Sequence, residues 1–220
     1  MRKIIAGVFQ SLDGVMQAPG GPTEDPTKGF DMGGWTVTYW DALMGEAMGG
    51  MFSAPFDLLL GRKTYEIFAA HWPFMTGDPV GELFNSIGKH VVTSSSEPLS
   101  WQNSHTLNGD AAKAISALKK SAGPDLLVQG SSQLYPTLFD HKLLDRLFVM
   151  TFPVVLGKGK RLFAQGIRPF AMRLVENKVS TTGVLVTTYE PAGEVPLGSF
   201  QQSEPSALEV ARQERMKIER

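Results

Sequence analysis

The sequence predicts an α/β fold in which a mostly parallel sheet lies between two helical layers and ends in an antiparallel C-terminal edge. Two observations predict it. Apolar runs of strand length alternate with helical patterns over two-thirds of the chain, and strands dominate after Asp145. Three of the apolar runs end in short polar turns that lead towards helices: Gly61 to Thr64, Thr93 to Ser96, and Gly130 to Gln133.

Each element follows in order. Residues 3–11, rich in Ile, Val and Phe, read as a buried first strand. Glycine and proline crowd residues 12–35, which predicts a long loop of the kind that is usually functional or mobile. "TYWDALMGEAMGGMF" (38–52) has a helical pattern with Trp40, Leu43, Ala47 and Met48 on one face, weakened by its glycines. "FDLLLG" (56–61) is a short strand, and "TYEIFAAHW" (64–72) a short helix opened by Thr64. "KHVVTSS" (89–95) is a strand followed by hydroxyl residues. The clearest helix is 110–123: Asp110 is placed to cap it, Ala114, Ile115 and Leu118 form its apolar face, and Gly123 stops it.

"DLLVQGSS" (125–132) is the next strand, and "QLYPTLFDHKL" (133–143) a helix that tolerates Pro136 only in its first turn. "RLFVMTFPVVLG" (146–157) and "RLFAQG" (161–166) follow. Two late strands, 170–180 and 183–191, flank a hairpin turn at Thr181, Thr182 and Gly183. Residues 1–192 therefore read as one domain and 193–220 as a polar tail. The tail holds one helical run from near Ser206 with a thin stripe of Leu208, Ala211, Arg215 and Ile218. It reads either as a mobile end or as a partner-contacting helix.

Bulk composition narrows the function classes. Of 220 residues, 42% are hydrophobic and 20% charged, an ordinary globular balance. A net charge of -1 argues against a nucleic-acid binder with a broad basic surface. Without cysteine there is no disulfide, thiolate zinc site or cysteine nucleophile. His71, His90, His105 and His141 lack ligand-like spacing, so no metal is expected. No apolar run reaches the roughly 20 residues of a membrane span, and the N-terminus fits a strand better than a signal peptide. The expected location is cytoplasmic.

The chemistry concentrates in the three turns. In an open α/β sheet, ligands bind beyond the carboxyl ends of the strands. Free backbone N–H groups at a helix start, with the helix dipole behind them, favour phosphate. Arg62 and Lys63 add positive charge, and Thr64, Ser94 and Ser95 add hydroxyl donors. Three such turns suit a ligand with several phosphates. Each also has a plain structural reading: tight-turn glycines, solvated cations and a polar strand end.

Five segments in order resemble the dihydrofolate reductase-like superfamily, in the branch of the C-terminal reductase domain of bacterial riboflavin-biosynthesis proteins. They are "SLDGVMQAPGG", "LLLGRKTYE", "HVVTSS", "LLVQGSSQLYPTLFDHKLLDRL" and "FPVVLGKGKRLF", spread over nearly all of residues 1–192. The resemblance implies a dihydrofolate reductase-like three-layer fold and NADPH as cofactor. By the same resemblance Gly61, Arg62, Lys63 and Thr64 grip phosphates, with Thr93, Ser94 and Ser95 beside them. Arg62, with Ser95 near it, is the candidate for the 2'-phosphate, because a guanidinium forks onto phosphate oxygens. Gly130, Ser131, Ser132, Gln133 and Leu134 cradle the pyrophosphate. The backbone around Ala6, Gly7 and Val8 lies beside the nicotinamide, and Asp13 and Gly14 belong to the loop that covers it.

Two departures stand out. The pyrophosphate turn is usually Gly-Gly in this family, and here Ser131 puts a Cβ where backbone approaches the ligand. The buried substrate-gripping carboxylate of a dihydrofolate reductase has no plain counterpart. Asp41 is the candidate over Glu46, with an exposed helix charge or cap as its alternative role, and the proton source is left open among Asp41, Asp13 and a water. Phe30 and Trp35 are expected to shape a substrate pocket or to pack as lid. The expected function is NADPH-dependent hydride transfer to a small pteridine- or pyrimidine-like heterocycle. The alternative is a non-catalytic nucleotide-binding or structural homodimer. The resemblance also implies a homodimer, with 146–157 as its interface strand or, on the residues alone, a central buried strand.

Overall fold

The computed structural model describes residues 1–163, 166–200 and 204–218. Ala164 and Gln165 of the "RLFAQG" segment lie outside the described residues. Eight strands form one sheet: β1 (Ile4–Ser11), β2 (Phe56–Gly61), β3 (Lys89–Val92), β4 (Ser104–Leu107), β5 (Asp125–Gln129), β6 (Arg146–Phe152), β7 (Ala171–Val179) and β8 (Leu185–Gly193). Their order is β4-β3-β2-β5-β1-β6-β8-β7. The pairs from β4 through β6 are parallel, and β8 runs antiparallel to both β6 and β7. This is the dihydrofolate reductase-like arrangement, with the expected antiparallel C-terminal edge.

Strand alternation sorts the core into two layers. Ala6 and Val8 of β1, Leu59 of β2 and Val128 of β5 pack with Ile115 of α4 (Ala111–Lys120) and Tyr135 and Leu138 of α5 (Leu134–Asp140). On the opposite face Leu58 and Leu60 meet Tyr65 of α2 (Arg62–Ala69) and Phe84 of α3 (Pro79–Ser86). Met44 of α1 (Ala42–Met51) packs on that face with Phe152, Val184 and Val186. Each fully buried Leu or Phe contributes about 2 kcal/mol, so the sheet is held from both sides.

Several elements differ from the sequence reading. Trp40 is outside α1 and 45% exposed, while Met44 is its buried residue. The chain makes a 3-10 turn over Val37–Tyr39 before Asp41 caps α1. Arg62, not Thr64, opens α2, because Gly61 itself is the N-cap. The helix α4 stops at Lys120 with Ser121 as its cap, before Gly123. The N-cap role of Asp110 is as expected: its carboxylate accepts from the Lys113 N–H at 3.0 Å. Helix α3 and strand β4 had no counterpart in the sequence pattern. Asp78 starts α3 by accepting from the N–H groups of Val80 and Gly81, both at 2.9 Å.

The α3 C-terminus is closed by a buried lysine. Lys89 Nζ donates to the carbonyls of Phe84, Asn85 and Ile87 at 2.7, 3.2 and 2.8 Å. It also lies 4.3 Å from the Trp101 ring centroid. A cation there satisfies carbonyls that the helix leaves orphaned. After Gly193 the chain leaves the sheet, and α6 (Ala207–Ile218) buries none of its residues. No helix among the described residues is long and apolar enough to cross a membrane.

Candidate functional site

Strand order brings the three polar turns together. Because β3, β2 and β5 are consecutive and parallel, the turns after Val92, Gly61 and Gln129 leave the same carboxyl edge side by side. The Gly61 turn is the middle one. β1 runs next to β5, so Ala6 and Gly7 pair with Val128 and Gln129.

Helix α2 starts at this edge. The N–H groups of Arg62, Lys63 and Thr64 have no intrahelical acceptor, as in any first turn, and carry the positive end of the dipole. Arg62 Nε donates to Glu66 at 2.6 Å and Nη1 to the Glu97 carbonyl at 2.8 Å. That second bond carries the guanidinium across to the neighbouring turn. There Ser95 N–H donates to Thr93 Oγ1 at 3.0 Å, and Glu97 N–H to Ser95 Oγ at 3.1 Å. Arg62 and the Thr93–Ser95 turn are thus neighbours. Lys63 and Ser94 are exposed. The sequence reading missed Glu66 as a partner of Arg62, although the i,i+4 spacing signals it.

The Gly130 turn interlocks with the Gly61 turn. Gly130 has φ +78, and a Cβ there would stand 3.1 Å from Thr64 Cγ2. Ser131 has φ +64, a conformation that costs a non-glycine residue about 1–2 kcal/mol. Its Oγ accepts from Gly61 N–H at 2.6 Å and donates to Thr64 Oγ1 at 2.8 Å. The Ser131 side chain therefore points into the seam between the turns. Its carbonyl accepts the Leu134 N–H at 2.8 Å, with half-buried Ser132 and exposed Gln133 between them. Leu134 itself is buried in the α5 layer.

On β1, Ala6 and Val8 bury their side chains in the α5 layer. Gly7 faces α1: a Cβ on it would lie 2.8 Å from Met51 Sδ. Bare backbone on this strand is therefore covered by one flexible thioether. In the following loop, Gly14 has φ +80 and its N–H donates to Ser11 at 2.9 Å.

Both candidate carboxylates hold loops. Asp13 accepts from Ser11 Oγ at 2.6 Å and from the N–H groups of Leu156 and Gly157 at 3.0 and 2.9 Å. Arg161 Nη2 adds a bond at 3.2 Å. The Ser11 hydroxyl, then the two backbone donors, outweigh burial and hold the Asp13 carboxyl at about 2. Asp41 Oδ1 accepts from Met44 N–H at 3.2 Å, and Oδ2 from the Thr181 N–H and hydroxyl, both at 2.8 Å. The Thr181 hydroxyl is the main cause that lowers its pKa. Asp41 thus caps α1 and pins the β7–β8 turn. Arg161 as the partner of Asp13 was not read from the sequence; the two are 148 residues apart.

Trp35 is packed rather than pocket-lining: it is 8% exposed, and its Nε1 donates to the Gln17 carbonyl at 2.8 Å. Phe30 is buried yet forms one wall of a cavity of about 280 Å³ with Gln17, Thr27, Lys28 and Lys160. A cavity of about 390 Å³ bounded by Phe52, Asp57, Ile87 and Pro124 opens at the amino end of β2, away from the turns.

Comparison with known proteins adds the ancestry. The model of the RibD C-terminal domain matches residues 2–186. An uncharacterized protein, YyaP, of Bacillus subtilis is 29% identical over 83 residues, which is 38% of this chain and 44% of that protein. The match thus spans under half the length of that curated relative. The dihydrofolate reductase of Enterococcus faecalis, solved with NADP(H) and RAB-propyl, superposes with a TM-score of 0.53. Identity is 14%, over 86% of this chain and 96% of that one. A Thermotoga maritima deaminase/5-amino-6-(5-phosphoribosylamino)uracil reductase superposes with a TM-score of 0.55 at 14% identity. That match covers 87% of this chain and 57% of the larger protein. At these identities the two structures show the fold.

Proposed function

The chain belongs to the RibD C-terminal domain family, and from that premise we propose that it is an NADPH-dependent reductase of a small pyrimidine- or pteridine-like heterocycle. The observation that carries the proposal is the side-by-side placement of three polar turns on one carboxyl edge.

The residues present fit the dinucleotide. The α2 start offers first-turn N–H groups and the Thr64 hydroxyl to phosphate. Arg62 reaches across to the Thr93–Ser95 turn, where a guanidinium meets a 2'-phosphate; its bond to the Glu97 carbonyl leaves other N–H donors for that contact. Gly130 keeps the adjoining turn free of a Cβ beside Thr64. The nicotinamide end is assigned to the β1 backbone at Ala6, Gly7 and Val8, where only the flexible Met51 thioether covers Gly7 on the α1 face. When bound, the cofactor supplies the hydride. The chain orients cofactor and substrate and excludes water around them.

Neither Asp13 nor Asp41 holds a proton at neutral pH, because both carboxyls are lowered by the bonds that fix their loops. The proton that completes the reduction is assigned to water. A homodimer is proposed for the β7–β8 end. β6 is flanked by β1 and β8 and has no open edge, whereas β7 is an edge strand with Val179 63% exposed and Leu174 47% exposed.

The test is loss of nicotinamide absorbance when the protein meets NADPH and a panel of aminopyrimidines and pterins. Turnover with one of them, dependent on enzyme concentration, supports the reading. Cofactor binding without turnover on the panel favours the non-catalytic nucleotide-binding alternative.

A further inference from the structure

We infer that Ser131 is a positioning residue: it orients the Thr64 hydroxyl as a donor to a phosphate oxygen at the start of α2. The inference rests on the dinucleotide reading of this edge. A glycine would carry the left-handed backbone at residue 131 without strain, yet a serine stands there with φ +64. Its hydroxyl is used in both directions. It accepts the Gly61 N–H at 2.6 Å and donates its single proton to Thr64 Oγ1 at 2.8 Å.

That direction fixes what Thr64 can do. Its oxygen already receives a proton from Ser131, so its own O–H must point elsewhere. No acceptor among the described residues takes that proton. On the other side of the side chain stands the bare Gly130 backbone, whose Cβ, if present, would lie 3.1 Å from Thr64 Cγ2 and 3.3 Å from Oγ1. Thr64 is thus clamped between the two residues of one turn, with one donor left for an outside acceptor. Hydrogen bonds in series polarise one another, so the chain from Gly61 N–H through Ser131 to Thr64 strengthens that last donor.

The test is a double-variant cycle on the full-length chain, read as NADPH affinity by nicotinamide fluorescence. Ser131→Ala keeps the Cβ and removes the relay, Thr64→Val removes the donor, and Thr64→Ser restores the hydroxyl. The expected result is about tenfold weaker binding for Ser131→Ala and at least that for Thr64→Val, as for loss of a hydrogen bond to a charged group. The double variant binds no more weakly than Thr64→Val alone, and Thr64→Ser stays near the parent chain. Unchanged or tighter binding by Ser131→Ala, or losses that multiply in the double variant, would overturn the relay. A lower Tm without an affinity change would leave Ser131 merely structural and overturn it equally.

The same proteins are titrated with inorganic pyrophosphate, followed by the amide shifts of Arg62, Lys63 and Thr64. If the parent chain ignores NADPH but binds pyrophosphate with the same coupling, the dinucleotide reading falls and the relay stands. If it responds to neither, both fall.

Discussion

The hydroxyl of Ser131 lies 2.6 Å from the backbone nitrogen of Gly61, joining two turns that are 70 residues apart in the chain. The contact exists because β2 and β5 are parallel neighbours, in register from Phe56 with Asp125 to Leu58 with Leu127. Both strands leave the sheet at the same level, and their turns meet. The family resemblance leads one to expect a glycine at residue 131, and the serine that stands there has φ +64, a backbone conformation that favours glycine. The Ser131 side chain fills the seam between the turns.

Lys89→Met should destabilise the fold by about 2–3 kcal/mol, since it strips three carbonyls at the α3 C-terminus of their donor. Burial pushes the Lys89 ammonium from 10.5 down to about 8. The unfolded chain therefore holds more protons than the folded one between those values, and stability rises with pH across that window. Urea midpoints measured from neutral to alkaline pH should show the rise in the parent chain and not in the variant.

Asp13→Asn should release the 153–161 loop and flatten the acid limb of stability. The Asp13 carboxyl titrates at about 2 when folded against an ordinary value of 3.8. Its stabilising share is complete above the ordinary range and is lost as pH falls through the folded value. Acid unfolding profiles of the two proteins check this. An unchanged limb in the variant would show that Asp13 is not what links the loop to pH.

Asp41→Ala should cost about 1–2 kcal/mol through loss of the α1 cap. Loss of the Thr181 bonds should also loosen the β7–β8 turn. Thermal unfolding reads the first effect and amide exchange at Thr181 and Thr182 the second. The rate of cofactor oxidation should hold. A stable variant with a collapsed rate would restore Asp41 as the catalytic acid.

Legibility in the sequence tracked how local each signal was. β1, β2, β5 and α4 announce themselves because they are buried on a regular period and end in strong punctuation, as with Asp110 before α4. β4, "SHTL", is a polar edge strand whose pairing with β3 is its main support, so no alternation marks it. α3 has Gly81 and Asn85 within eight residues, and it holds through buried Phe84 and through Lys89, a cation that reads as a solvated strand residue until it is seen folding back onto the helix end. The three polar turns were legible as turns. What joins them was not: Ser131 to Gly61 and Arg62 to Glu97 are long-range contacts set by strand order. Asp41 illustrates the converse. A carboxylate before a helix reads equally as cap or acid until Thr181 is seen to occupy its second oxygen.

The central claim, a dinucleotide phosphate site on the carboxyl edge of β2, is tested most directly by titrating the purified chain and Arg62→Ala with NADPH and NADH. The account predicts saturable binding that prefers NADPH in the parent chain. It also predicts a selective loss of that preference in the variant, with NADH affinity little changed. Absence of binding to either nucleotide, or an Arg62→Ala variant that still prefers NADPH, would contradict it.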